Sequence, residues 1–201
     1  IIVPAALGII ILVFFMNDYT RAKQLAWVAF SFPFIAGIFL FAGIDPYNEG
    51  YSYEILFDRM GLQALGITFH LGLNGVSAPL FAMAGIVGFS AGFAAIKSQA
   101  DRISLYLGLL AFMQAGLMGL FASVDIFFYY LFHEFALIPT FIMIGLWGGR
   151  DRRSVALEIT IYLTLGALIS LGGLVALNVL VDAPKFDFPS LSEAILSDGL
   201  G

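Results

Sequence analysis

The residue with the clearest chemical potential is a glutamate inside a long apolar segment. Glu134 follows Asp125 by nine residues, which corresponds to about 13 Å along a helix that rises 1.5 Å per residue. The apolar core of a bilayer is about 30 Å thick, so Glu134 is expected near its midplane. A carboxyl group there is costly unless it is paired, hydrated or protonated. Glu134 is therefore a candidate proton relay, and a neutral carboxyl that packs between helices is the alternative.

Two neighbours of Glu134 could support such a relay. Pro139 cannot donate a hydrogen bond to the carbonyl of Phe135, which leaves that carbonyl free for water or a side chain. His133 directly precedes Glu134 and points about 100° around the helix from it. It could share a proton path. The alternatives are an ordinary helix kink at Pro139 and a histidine that only packs.

Other polar residues lie within the apolar segments. Gln114 and Tyr162 could bond between helices or order water, which makes them candidate supporting residues. Glu158 lies close to the start of its segment and is expected to pair with Arg152 or Arg153.

The composition argues against several kinds of site. The chain has no cysteine and only two histidines, so disulfides, iron–sulfur clusters and thiolate metal sites are excluded within it. It contains no phosphate-binding loop, nucleophile elbow or zinc-ligand spacing. A formal charge of −5 argues against a nucleic-acid partner. No metal or cofactor site is predicted in this chain.

The solvent for most of the chain is predicted to be lipid. Apolar residues make up 61% of the sequence and charged residues 11%, against about 45–50% and 25% in soluble domains. The sequence predicts an all-α, polytopic transmembrane bundle, because its apolar stretches are long enough for helices and do not alternate as barrel strands would. Six spans are predicted, at residues 1–16, 25–44, 79–96, 103–124, 126–147 and 155–181.

The basic residues predict the orientation of these spans. Lysine and arginine gather in cytoplasmic loops, and seven of the nine lie in three alternate loops. These seven are Arg21, Lys23, Lys97, Arg102, Arg150, Arg152 and Arg153. Only Arg59 and Lys185 fall on the opposite side. The N-terminus is therefore predicted to lie outside, in a multi-pass protein of the cell inner (plasma) membrane.

The remaining segments complete a single transmembrane domain over residues 1–201. Residues 45–78 form a long outer loop that is expected to pack on the outer face. Residues 182–201 mix apolar and acidic residues, as in an amphipathic linker helix. The chain starts without methionine and is interpreted as an internal stretch of a longer polypeptide.

Several runs resemble one protein family in the right order. Residues 125–148, with the Glu134-x-x-x-x-Pro139 run ending in Trp-Gly, are similar to the fifth helix of subunit M of NADH–quinone oxidoreductase. That subunit, also called chain 4, belongs to the antiporter-like membrane subunits of respiratory complex I. Residues 65–77, 161–166 and 186–188 resemble further parts of it. The resemblance covers nearly the whole chain and only the N-terminal portion of the family.

The resemblance implies a subunit of a proton-translocating oxidoreductase whose redox chemistry takes place elsewhere. NADH, FMN, iron–sulfur clusters and quinone would lie on other subunits, and other membrane-arm subunits and the lipid bilayer would be its partners. The family's key glutamate maps onto Glu134. Its expected partner is a lysine in a later, broken helix beyond Gly201.

The sequence departs from the family pattern at three positions. Asn74 stands where the family usually has aspartate, Glu158 where it often has lysine, and His133 where it usually has an apolar residue. The alternatives are a paralogous subunit (L or N), a subunit of a multisubunit sodium/proton antiporter, and a purely structural membrane scaffold.

Overall fold

The computed structural model describes residues 1–45, 50–57 and 66–197. Within these ranges the chain forms seven helices and a two-stranded sheet. The helices are α1 (Ile2–Phe14), α2 (Tyr19–Ala42), α3 (Ser77–Lys97), α4 (Ile103–Ala122), α5 (Ile126–Trp147), α6 (Arg152–Leu180) and α7 (Phe188–Ser197). The strands are β1 (Ser52–Phe57) and β2 (Phe69–Leu73).

The predicted helical membrane bundle is confirmed, and the count of six spans is approximate. Five helices, α2 to α6, are long and apolar enough to cross a membrane. The first predicted span, residues 1–16, contains the shorter apolar helix α1, which has 13 residues. At 1.5 Å per residue, a helix of that length extends about 20 Å, which is less than the thickness of the apolar core.

The second helix is longer than its predicted span. It begins at Tyr19, whereas the apolar stretch begins at residue 25. The carboxylate of Asp18 accepts a hydrogen bond of 3.1 Å from the backbone N–H of Arg21, and an aspartate at this position stabilises a helix start. The polar first turn is therefore helical although hydropathy does not mark it.

Helix α4 is the centre of the bundle. It packs against α1, α2, α3 and α5, and it contributes the largest set of buried residues among the described helices. Close approach is possible because α4 carries glycines at its contacts. A Cβ atom at Gly116 would lie 2.7 Å from the backbone nitrogen of Ala136 in α5. Helix α6 lies at the edge and packs mainly on α5, with Ala156 as its buried residue.

The predicted outer loop contains strands as well as irregular chain. Strands β1 and β2 pair antiparallel, with Ile55 opposite Leu71 and Leu56 opposite His70. Leu71 and Leu73 are two residues apart and share one face of β2. That face packs into a cluster that includes Phe128 of α5. The loop is thus anchored on the end of the bundle, while residues 46–49 and 58–65 of the predicted segment lie outside the described residues.

The start of α5 is fixed by a buried aspartate. The Asp125 carboxylate accepts hydrogen bonds from the backbone N–H groups of Phe127 (2.9 Å), Phe128 (3.2 Å) and Thr68 (2.9 Å), and Asp125 is fully buried. Beside it, the N–H of Ile126 donates to the carbonyl of residue 186 at 3.1 Å. These bonds tie α5 to the hairpin segment and to the linker before α7.

Candidate functional site

Helix α5 carries Glu134 in its middle turns. The helix has 22 residues and is about 33 Å long, with Glu134 about 12 Å from its start. Phe132 and Ala136 lie on the buried side of the helix, and Glu134 lies about 200° around from Phe132. The Glu134 side chain is 26% exposed. Its Oε1 atom is nevertheless buried and has no hydrogen-bond partner.

His133 and Tyr130 complete a small polar cluster with Glu134. The Nδ1 atom of His133 lies 4.0 Å from Oε1 of Glu134, and this nitrogen is also buried without a hydrogen-bond partner. The Tyr130 hydroxyl interacts with the Glu134 carboxyl group one turn away. The rings of Tyr130 and His133 are stacked, with centroids 6.5 Å apart. Three groups able to donate or accept protons therefore meet within one turn of α5.

A cleft between α5 and α6 adjoins this cluster. Its volume is about 330 Å³. Polar side chains from both helices line it, and Gly166 opens its α6 wall because no atom lies within 4 Å of a Cβ built there. The polar lining residues are Tyr129, Tyr130, His133, Tyr162 and Ser170. The structure thus brings Tyr162 and His133, both predicted as supporting residues, to the same cleft.

Gln114 lies apart from this cluster. It is 2% exposed, and neither its amide nitrogen nor its amide oxygen has a hydrogen-bond partner. It occupies space left by Gly88 of α3, where any Cβ atom would overlap its amide group. Gly116 faces α5, and Gln114 lies about 200° around α4 from it. The structure therefore places Gln114 at the α3–α4 contact and away from Glu134.

Pro139 is placed on the side of α5 that faces the bundle interior. It is fully buried, and the helix continues through it to Trp147. One residue later, the hydroxyl of Thr140 donates to the carbonyl of Ala136 at 2.8 Å and lies 3.3 Å from the sulfur of Met113 in α4. Pro139 lies about 140° around the helix from Glu134, so the two side chains point in different directions.

The predicted pairing of Glu158 with a nearby arginine is wrong. The Glu158 carboxylate accepts a hydrogen bond of 3.1 Å from the hydroxyl of Ser154. Arg152 instead donates to the carbonyl of Leu146 at 2.7 Å. The carbonyl groups in the last turn of a helix lack partners within that helix, so the end of α5 holds this arginine.

Two residues of the site region were missed by the sequence analysis. Tyr130 precedes Glu134 by four residues, a spacing that places both on one helix face, so it could have been found. Asp125 was treated only as the start of the span, and no local signal shows that Thr68 reaches it. Within residues 1–45, 50–57 and 66–197, no three His, Asp or Glu side chains are grouped so that they could hold a metal ion.

Comparison with known proteins identifies relatives over most of the chain. No family model matches it. NADH–quinone oxidoreductase subunit M of Rhodobacter capsulatus is 32% identical over 175 residues, which cover 84% of this chain and 33% of that protein. F(420)H(2) dehydrogenase subunit M of Methanosarcina mazei is 28% identical over 183 residues, covering 86% of this chain and 36% of that protein. Another relative is named NAD(P)H–quinone oxidoreductase chain 4.

The fold has the same affinities. A chain of respiratory complex I from Thermus thermophilus matches with a TM-score of 0.75 and 24% identity, over 94% of this chain and 37% of that chain. The present chain spans about a third of the length of the curated relatives that it matches. It is a homologue of the antiporter-like membrane-arm subunits of complex I-type enzymes, among relatives named subunit M or chain 4.

Proposed function

We propose that this chain is part of a proton-translocating membrane-arm subunit in which Glu134 binds and releases the transported proton. The observation that carries the proposal is the buried, unpartnered carboxyl oxygen of Glu134 in the middle of a membrane-length helix. In membrane proteins an ionisable side chain at that depth is costly to maintain and commonly marks an ion or proton pathway.

The surroundings of Glu134 suit a group that changes its protonation state. Its Oε1 atom has no fixed hydrogen bond, and no arginine or lysine lies among the described residues in an ion pair with it. A carboxyl held in one state by a permanent cation would resist proton exchange. Here His133 and Tyr130 stand next to the carboxyl group, and both can exchange or share protons.

The subunit is proposed to work within an NADH–quinone oxidoreductase, because a relative of that name is 32% identical to this chain. NADH, FMN, iron–sulfur clusters and quinone would be bound by other subunits, and this chain would contact neighbouring membrane-arm subunits and lipid. Its place would be the inner (plasma) membrane, with the N-terminus outside as the distribution of basic residues predicts.

The proposal is tested by Glu134→Gln in the full-length subunit within the assembled complex. In proteoliposomes, we expect the number of protons pumped per electron pair to fall, with the share carried by this subunit lost at least about tenfold, since amide cannot carry a proton. Subunit content of the purified complex should remain normal.

The matched control is Glu158→Gln. Glu158 lies in the second turn of α6 and bonds Ser154, so its loss should leave pumping unchanged. Pumping by Glu134→Gln at the level of the unmodified complex would remove Glu134 from the proton path.

A further inference from the structure

We infer that His133 passes protons between Glu134 and water held in the cleft between α5 and α6. This rests on the proposed role of Glu134 and adds to it the next proton carrier and the route by which the proton leaves. The antiporter-like family usually has an apolar residue at this position, so the carrier would be particular to this chain.

The contact between His133 and Glu134 is the first support. Nδ1 and Oε1 lie 4.0 Å apart, and both atoms are buried without hydrogen-bond partners. Buried polar atoms in native proteins nearly always have a partner. A small rotation of either side chain shortens this distance to about 2.8 Å and satisfies both atoms at once. Each is therefore the natural partner of the other.

The cleft is the second support. It has a volume of about 330 Å³, and a water molecule in the liquid occupies about 30 Å³, so several waters fit. Tyrosine hydroxyls and the Ser170 hydroxyl line it together with the His133 ring, which gives those waters the polar partners that they need. Its other lining residues are apolar, so protons would move along water and the imidazole.

The cleft also has a direction. It extends along α5 from Ile126, the first residue of the helix, to His133, a distance of about 10 Å. This end of α5 is the one that Asp125 joins to the hairpin segment. The basic residues predict that it faces outside. The cleft would thus connect the middle of the bundle with the outer side and serve proton release.

The proton transfer needs no other reactant. The O–H bond of protonated Glu134 breaks as an N–H bond forms at Nδ1 of neutral His133. The N–H bond at Nε2 then breaks and its proton passes to a cleft water, which leaves a neutral imidazole and a carboxylate. Rotation of the ring restores the first tautomer. The other titratable groups in the cleft are the tyrosine phenols, whose ordinary pKa of about 10 keeps them neutral at physiological pH.

A pair of glycine substitutions tests the cleft in the assembled complex. Gly166 lines the cleft and Gly172 does not, and a Cβ at either position meets no atom within 4 Å. Gly166→Leu fills the cleft, whereas Gly172→Leu adds the same side chain to α6 outside it. In complexes that assemble normally, we expect Gly166→Leu to slow proton release at least about tenfold and Gly172→Leu to leave it unchanged. Equal effects of the two substitutions would overturn the proposal.

Histidine substitutions test the carrier itself. His133→Gln keeps a hydrogen-bonding side chain of similar size, and His133→Leu keeps neither hydrogen bonding nor titration. Proton transfer should fall to the same low rate in both, since neither carries a proton, whereas a residue that only bonds Glu134 would be rescued by glutamine. Normal pumping in His133→Gln with loss in Glu134→Gln would reject this inference alone. Normal pumping in Glu134→Gln would reject the proposed function as well.

Discussion

Two side chains have unpartnered polar atoms in the middle of their helices, and their surroundings differ. Gln114 is enclosed between α3 and α4, where its amide can bond only to what the two helices enclose with it. Glu134 has His133 beside it and, through that ring, the α5–α6 cleft. Only the second arrangement gives a titratable group an exchange path to water. That difference assigns the proton-transfer role to Glu134 and a packing role to Gln114.

The carboxyl group of Asp125 makes bundle stability depend on pH. Burial raises the pKa of Asp125 above its ordinary value of 3.8 and outweighs three backbone hydrogen bonds that lower it, while nearby Asp187 raises it further. The folded chain therefore binds this proton more tightly than the unfolded chain. Stability contributed by the bound proton is lost as pH rises from 3.8 through the raised pKa, and it is constant above that.

We expect Asp125→Asn to flatten this part of the pH profile. Thermal unfolding in detergent, followed by circular dichroism from about pH 4 to pH 7, would measure it. Asp18→Asn, at an exposed helix cap, is the control and should keep the slope of the unmodified protein. An unchanged slope in Asp125→Asn would show that this carboxyl does not titrate in that range.

At the residue scale, the sequence shows which side chains are unusual but not which ones meet. Glu134 stands out because residue type and depth within an apolar segment can be read directly. The separation of Gln114 from Glu134 depends on how α3, α4 and α5 are rotated against each other, which spacing along one helix does not show. The burial of Asp125 depends on Thr68, which is 57 residues away in sequence.

At the scale of elements, the contact between α4 and α5 positions the site. Gly116 lets the backbones meet, because a Cβ there would lie 2.7 Å from the nitrogen of Ala136. We expect Gly116→Ala to push the helices apart and destabilise the bundle by about 1–3 kcal/mol. Thermal unfolding in detergent would show the loss. Gly172→Ala, with open space around it, should not destabilise, and equal midpoints for the two variants would contradict close packing at Gly116.

The helices were easier to predict than the hairpin for a physical reason. Each long apolar run satisfies its own backbone hydrogen bonds as a helix in lipid, so composition and length determine it. Strands β1 and β2 depend on each other and on the cluster around Phe128 that covers Leu71 and Leu73. No local pattern in residues 45–78 announces that partnership, and they were treated as a loop.

At the scale of the whole molecule, the orientation in the membrane remains a prediction from basic residues. The 201 residues contain no cysteine, so single cysteines can report it in a full-length subunit without other cysteines. Gly75, between β2 and α3, and Gly149, between α5 and α6, are both exposed with no atom within 4 Å of a Cβ. We expect a membrane-impermeant maleimide added outside to label Gly75→Cys and not Gly149→Cys. The reverse pattern would invert the topology.

The protonation of Glu134 during turnover is the most direct test of the account. Infrared difference spectra of the assembled complex, recorded with and without electron donor, would show the carboxyl stretching band of a glutamate that gains or loses a proton. We predict a band that changes with turnover and is absent from Glu134→Gln. The same difference spectrum in Glu134→Gln and in the unmodified complex would contradict the claim that Glu134 carries the proton.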